Sequence, residues 1–217
     1  MIAKKDIEEK IKQTLEKKGE RKFLQAIDLS IGLKGIDMKV QSNAIDEVVI
    51  LPFTNGTDYK ICALVDKELQ TESNKNFEKT IMKEDFEKYS KKKDLKKLAD
   101  DYDFFVAQAN IMTLIAKTFG RVLGPRSKMP NPKASCVVPA SAKLEALKNR
   151  LKRTVLLRAK KSPVLNVKVG NEKQKSSEVA DNILTVLEFV VKRLPNAEQS
   201  IKHVYLKTSM GESIKLM

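Results

Sequence analysis

Two hydrophobic rhythms run along this 217-residue chain, and together they constrain its fold more than any single motif does. Near both ends apolar residues alternate with polar ones, whereas in the middle they run almost unbroken. Between Lys22 and Lys34, Phe23, Ile27, Leu29, Ile31 and Leu33 keep to one parity, with Asp28 and Ser30 between them. That is the signature of a strand with one wet face. A second strand is expected from Asp46 to Pro52, ahead of FTNGTD, where Asn55-Gly56 suits a tight reversal. By contrast, YKICALV (59–65) and DFFVAQA (103–109) are short, nearly continuous apolar runs, as in strands covered on both faces.

Helical spacing fills the intervals. Ile7, Ile11 and Leu15 make a thin stripe between Lys4 and Lys18. Further helices are expected around 84–100, from Asn110 to Phe119 and from Ser141 to Leu151, with KTIM as a short strand. From about Arg153 alternation returns. TVLLRA and VLNVKVG, separated by a break at Lys160–Pro163, are expected to form an antiparallel hairpin. A helix capped by Ser176 or Ser177 follows, its apolar face formed by Ala180, Ile183, Leu184, Leu187, Val190 and Val191. The strand IKHVYLKT comes last. This alternation of element types predicts an α/β protein. Residues 1–56 and 153–217 would form an α+β terminal domain with an antiparallel-rich sheet, and 57–152 an inserted Rossmann-like, three-layer α/β domain. The two crossings between them would make a hinge pair.

Forty-two Lys and Arg stand against 28 Asp and Glu, a formal charge of +14. Such an excess points to a polyanionic partner. The hydrophobic fraction of 41% is ample for packed cores. No stretch reaches the roughly 18 apolar residues of a membrane-spanning helix. The opening MIAKKDIEEKIKQ lacks the apolar run of a signal peptide, so a cytoplasmic protein without a membrane partner is expected. Cys62 and Cys136 sit in apolar company without a CxxC partner and read as buried hydrophobes. His203 is the only histidine, so neither a metal site nor a histidine-based catalytic centre is expected.

The charge is concentrated. Residues 117–161 hold thirteen Lys or Arg and a single acid, Glu145. The lysines of 91–97 are instead answered by Asp94, Asp100, Asp101 and Asp103, as on a solvated helix face. Inside the basic window lies FGRVLGPRSKMPNP (119–132), whose glycines and prolines predict an extended, stiff loop presenting Arg121, Arg126, Lys128 and Lys133. Such a loop is either a structural crossover or a nucleic-acid contact. It is not a phosphate loop of the GxxxxGK[ST] kind, because only three residues separate Gly120 from Gly124 and Pro125 follows. At the other end of the chain KTSMGES (207–213) offers hydroxyls, an adaptable methionine and a glycine, which suit an RNA minor groove or a frayed strand end. Phe23 could stack on a base, although a strand residue of its kind is more often core.

FGRVLGPRSKMPNP, VYLKTSMGESIKL, RKFLQAIDLSIGLKGIDMK and LNVKVGNEK resemble the family of the universal large-subunit ribosomal protein one, the stalk protein. The resemblance runs from residue 21 to the end, and Gln25, LKGIDMK and DFFVAQA lean to its archaeal branch. It implies a non-enzymatic protein, without cofactor or catalytic residues, that grips the ribosomal RNA of the stalk through a sheet edge and two loops. Lys22, Phe23, Gln25, Lys168, Gly170, Thr208, Ser209, Met210 and Gly211 are then the primary RNA candidates. Arg121, Gly124, Pro125, Arg126, Lys128 and Met129 would make secondary contacts to RNA or to the exit-site tRNA. It further implies help in releasing deacylated tRNA, repression of the protein's own messenger RNA, and a monomer when free. Ser127 stands where the family usually has glycine, and Ala26 where it usually has a hydroxyl residue. The competing readings are an RNA-binding repressor or chaperone acting off the ribosome, and a nucleotide-dependent enzyme on the inserted domain.

Overall fold

The computed structural model describes residues 3–36, 38, 40, 44–89, 91–160, 162–194 and 197–217. In chain order its elements are α1 (Lys4–Glu16), β1 (Ala26–Leu33), β2 (Ile45–Ile50), β3 (Ile61–Val65), α2 (Gln70–Asn76), β4 (Lys79–Met82), α3 (Lys92–Asp101) and β5 (Phe104–Gln108). There follow α4 (Met112–Leu123), β6 (Val137–Val138), α5 (Leu144–Leu151), β7 (Thr154–Ala159), β8 (Val164–Asn171), α6 (Ser176–Arg193), β9 (Ile201–Thr208) and β10 (Ile214–Lys215). The fold is α/β. Its contacts divide the chain into two compact units, Met1–Thr57 with Arg153–Met217, and Asp58–Lys152.

The terminal unit is built on an antiparallel sheet ordered β10-β9-β1-β8. Alternation decides its inner face. Ile27, Leu29 and Ile31 of β1 are buried with Leu165, Val167 and Val169 of β8 and Val204 and Leu206 of β9. Ile7 and Ile11 of α1 and Val179, Ala180, Ile183, Val186 and Val190 of α6 complete this core. One extra residue on β8 makes a bulge, since Ile27 faces Gly170 while Asp28 faces Lys168.

TVLLRA and VLNVKVG do not form the expected hairpin. β7 pairs antiparallel with β2 in a separate two-stranded sheet, and β8 pairs with β1. The reason is competition for partners: the Leu33 amide donates to the Pro163 carbonyl at 2.8 Å, tying the approach to β8 onto β1. Lys161, inside that break, lies outside the described residues. The α6 cap also differs. Ser176 is the first helical residue, Lys175 takes the N-cap position, and no side chain caps the end.

The inserted unit carries four parallel strands ordered β4-β3-β5-β6. All five residues of β3 are buried, as the unbroken apolar run predicts for a strand covered on both faces. Cys62, Leu64, Phe105 and Ala107 pack with Leu95 and Leu98 of α3 and Ile115, Phe119 and Val122 of α4. The stretch around 84–100 divides into a 3₁₀ segment, Lys83–Tyr89, and α3. Strand order reverses between β3 and β5, the place where open α/β sheets take nucleotides. Gln108 closes that place here. Its oxygen accepts from the Asp66 amide at 2.9 Å, and its NH₂ donates to Glu68 at 2.9 Å.

Candidate nucleic-acid interface

Three of the singled-out segments meet at one end of the terminal unit's sheet. Ile27 pairs with Thr208 and Ala26 with Asn171, so residues before β1, after β8 and after β9 are neighbours. Thr208 to Gly211 form a reverse turn, with the Gly211 amide donating to the Thr208 carbonyl at 3.2 Å. Ser209 and Met210 occupy its two central positions. The turn is stitched to β1: the Ser209 amide donates to the Ala26 carbonyl, and the Ala26 amide donates to Ser209 Oγ, both at 3.1 Å.

Phe23, Leu24 and Met210 stand exposed there, Phe23 at 52% and Met210 at 59% of full accessibility. Phe23 is therefore not core. β1 begins at Ala26, and the alternation read from Lys22 onward starts four residues late because 22–25 form a bend outside the ladder. Lys22 beside it is also exposed. The Lys18 ammonium donates to Glu172 at 2.7 Å, holding that carboxyl below its ordinary range and fastening the end of α1 to the loop after β8.

Four candidates take a different position from the expected one. Thr208 is wholly buried, its Oγ1 without a hydrogen-bond partner among the described residues. Gln25 is 1% exposed; its oxygen accepts from the Met210 amide and its NH₂ donates to the Gly19 carbonyl. Neither side chain reaches solvent, and both hold the turn from beneath. Gly170 is buried as well, because a Cβ there would press on Val179 and the Gln174 oxygen. A Cβ on Gly211 would collide with Thr208 Oγ1, so that glycine is required by the turn's own packing. The signal for two of these was in the sequence. Gln25 is in phase with Ile27 and Leu29, and Thr208 with Val204 and Leu206.

Lys168 and Ser209 apart, sequence reading passed over the outward positions of the same strands. Asp28, Ser30, Asn166, Lys168, Lys207 and Ser209 line a groove of about 440 Å³. Burial pushes the Asp28 carboxyl up from its ordinary value, against the opposing pull of Lys168 and Lys207. Burial likewise lowers Lys168, whose ammonium donates to Thr57 Oγ1 at 2.6 Å.

The second candidate loop is less loop than expected. α4 continues through Gly120 to Leu123, and Gly124–Ser127 is a turn closed by the Ser127 amide on the Gly124 carbonyl. Ser127 adopts φ 56°, a conformation in which glycine is free of strain. Lys128 does not present its charge outward. It donates to the carbonyls of Ala99 and Tyr102 at 2.8 and 2.7 Å, closing the C-terminal end of α3, where a cation also meets the negative end of the helix dipole. Arg126 pairs with Asp100 and reaches the Lys96 carbonyl. Met129 packs against the core of the inserted unit. Arg121, Gly124 and Pro125 remain exposed.

Two further cations of the basic window also find a partner far away in sequence. Arg158 and Lys160 both grip Asp46, at 3.0 and 2.7 Å. Burial is the largest single influence on Asp46 and opposes its ionisation, but the two cations together outweigh it and hold the carboxyl low. Cys62 and Cys136 are buried, and burial pushes their thiols up to about 12 and about 11.

Comparison with known proteins adds a lineage to this geometry. Residues 4–212 match the family model described as the ribosomal protein L1p/L10e family. The chain is 37% identical to the large ribosomal subunit protein uL1 of Methanothermobacter thermautotrophicus over 214 residues, covering 98% of this chain and 99% of that one. It is 39% identical to the uL1 of Methanothermococcus thermolithotrophicus, over 88% of each chain. With the uL1 of Pyrococcus abyssi the identity is 35%, over 97% of this chain and 94% of that one.

Proposed function

The chain belongs to the ribosomal protein L1p/L10e family, and on that premise we propose that it is a non-catalytic constituent of the large ribosomal subunit that holds the stalk ribosomal RNA through the turn end of its terminal unit. One observation carries the reading. Lys22 and Phe23 stand exposed with Met210 at that end of the sheet, beside half-buried Ser209, on a turn whose buried residues hold it from beneath. An exposed phenylalanine can stack on an unpaired base, and a stiff turn of Ser209 and Met210 fits a shallow minor groove, where shape and 2′-hydroxyls are read. Lys22 and Lys207 bring charge for phosphates to the same end. The protein works on the cytoplasmic ribosome, as a monomer before assembly. Release of the exit-site tRNA and repression of its own messenger RNA extend the same reading, since a messenger that copies the stalk's shape would occupy the same turn.

The nucleotide-dependent enzyme is disfavoured by the chemistry of the strand-order reversal. Gln108 spans it, and the lysines around it, Lys67 and Lys83, are paired with Glu84 and Asp66. Phosphate would meet carboxylates there.

Binding of a stalk RNA fragment and of a scrambled control across a salt series tests the proposal. Met210→Asp should abolish preference for the stalk fragment. Arg121→Ala should weaken both RNAs alike and lower the salt slope by about one phosphate contact. Equal, steeply salt-dependent binding to both RNAs by the unaltered protein would refute it.

A further inference from the structure

Buried amide side chains gather on one short segment, residues 53–57, the last of the terminal unit before the inserted unit begins at Asp58. The segment belongs to no helix or strand, and side chains hold its backbone. The Phe53 amide donates to Asn182 Oδ1 at 3.1 Å, and the Gly56 amide to Thr54 Oγ1 at 3.2 Å. The Thr57 amide donates to Asn55 Oδ1 at 3.2 Å. Asn182 is wholly buried on α6 and also donates to the Val169 carbonyl of β8 at 2.8 Å. Burying a carboxamide is costly unless it is paired, so these side chains fix one conformation of the segment.

The segment's carbonyls are held by the loop between β8 and α6. Gln174 Nε2 donates to the Thr54 carbonyl at 2.7 Å, and Asn171 Nδ2 to the Gly56 carbonyl at 3.4 Å. Gly56 adopts φ 69°, and a Cβ there would collide with the Asn171 side chain, so glycine is what admits the asparagine. The loop is also tied to itself. The Asn171 amide donates to Gln174 Oε1 at 2.9 Å, and the Lys173 amide to Asn171 Oδ1 at 3.1 Å. Both carboxamides therefore use their oxygen inside the loop and their NH₂ on the segment.

The same loop is fastened to the turn end. The Glu172 amide donates to the Gln25 carbonyl at 3.1 Å, and its carboxylate takes the Lys18 ammonium at 2.7 Å. Gln25 Oε1 in turn accepts from the Met210 amide. Within four residues, then, Glu172 holds Gln25 while Asn171 and Gln174 hold the segment. Bonds joined in this way support one another: if Gln25 shifts, the loop that positions Asn171 and Gln174 loses an anchor.

We propose that the loop at 171–174 is a strut coupling the turn at 208–211 to the segment at 53–57. Whatever holds the turn in place also steadies the chain where it leaves the terminal unit, and loosening either end loosens the other. Such coupling is reciprocal, so a ligand seated on the turn slows opening of the segment. The strut lies within the terminal unit and rests on the function proposed above only for the identity of that ligand.

The test is amide hydrogen exchange in the full chain, followed by NMR, with each variant read at the end it does not touch. Without ligand, Gln25→Leu should speed exchange at Phe53, Gly56 and Thr57 about fivefold, and Gln174→Ala should do the same at Met210. The Lys34 amide, bonded to the Ser200 carbonyl beyond the other end of β1, should keep its parent rate in both. Thermal melting by circular dichroism shows that the variants are folded. Should Gln25→Leu fail to fold, Gln174→Ala, at a half-buried position, decides alone. Stalk RNA fragment at saturation should slow Phe53, Gly56 and Thr57 in the parent and not in Gln174→Ala. The strut is overturned if the folded variants change only their own ends, as two independent attachments to one core would, or if bound stalk fragment leaves 53–57 unaltered in the parent. A parent that shows no preference for the stalk fragment refutes the proposed function instead, and the ligand-free variants then decide the strut.

Discussion

Gln25 and Met210 are joined by a hydrogen bond of 3.2 Å from the Met210 amide to the Gln25 carboxamide oxygen, across 185 residues of chain. The same carboxamide donates to the Gly19 carbonyl at 3.0 Å, so one buried side chain holds both the turn after β9 and the bend before β1. The exposed candidate residues are thereby placed by a residue that is itself buried. Gln25→Leu should cost about 1–3 kcal/mol, because it strands a buried amide and a carbonyl. It should also weaken stalk RNA without lowering the salt slope. Urea unfolding and the salt series together check this, and a loss of slope would mean that charge contacts, rather than the turn's shape, had been disturbed.

Thr208→Val discriminates between a hydroxyl that binds RNA and one that merely fills space. The Thr208 hydroxyl is buried without a partner among the described residues, so its removal in an isosteric side chain should leave stability equal or raise it by about 1 kcal/mol. Stalk affinity should be unchanged. A sharp loss of affinity with full stability would show that the turn opens to present this hydroxyl.

Lys128→Met should act on the inserted unit and not on RNA. The substitution keeps the aliphatic stem and removes two charge-assisted bonds to the carbonyls ending α3, a cost of about 1–3 kcal/mol. Arg126→Ala, which breaks an exposed pair with Asp100, should cost under about 1 kcal/mol. Denaturant midpoints of the two variants measure the contrast.

Asp46 carries a pH signature. Its folded carboxyl titrates below the ordinary 3.8, so in acid the unfolded chain binds more protons there, and the Asp46 contribution is lost as pH falls through that low value. Above 3.8 the contribution is fully present. Because the pair is largely exposed, Asp46→Asn should cost no more than about 1 kcal/mol at pH near 7, and nothing in strong acid. Melting temperatures of parent and variant should converge on acidification.

The two thiols should be inert while the protein is folded. With burial raising them to about 12 and about 11, neither offers a thiolate at pH 8, and a disulfide-exchange reagent should report no free thiol until denaturant is added. Prompt reaction of either cysteine in the native protein would contradict its placement.

Alternation alone was enough to place much of this protein. The parity of Ile27, Leu29 and Ile31, and of Val204 and Leu206, assigns the inner face of one sheet, while the unbroken runs at 59–65 and 103–109 announce strands buried on both sides. The same parity, applied to its end, covers Gln25 and Thr208, so their burial was legible too. Other features were decided by pairing across long stretches of chain. Arg126, Lys128, Arg158 and Lys160 look like unanswered charge until Asp46, Asp100 and the carbonyls of Ala99 and Tyr102 are brought to them. β7 looks like the partner of β8 until β1 and β2 compete for the two strands. The division has a physical cause. A strand's period records which side is wet, a local property of each residue, but the partner of a charge or a strand edge is whatever the folded chain places within about 3 Å of it, and separation in sequence carries no information about that.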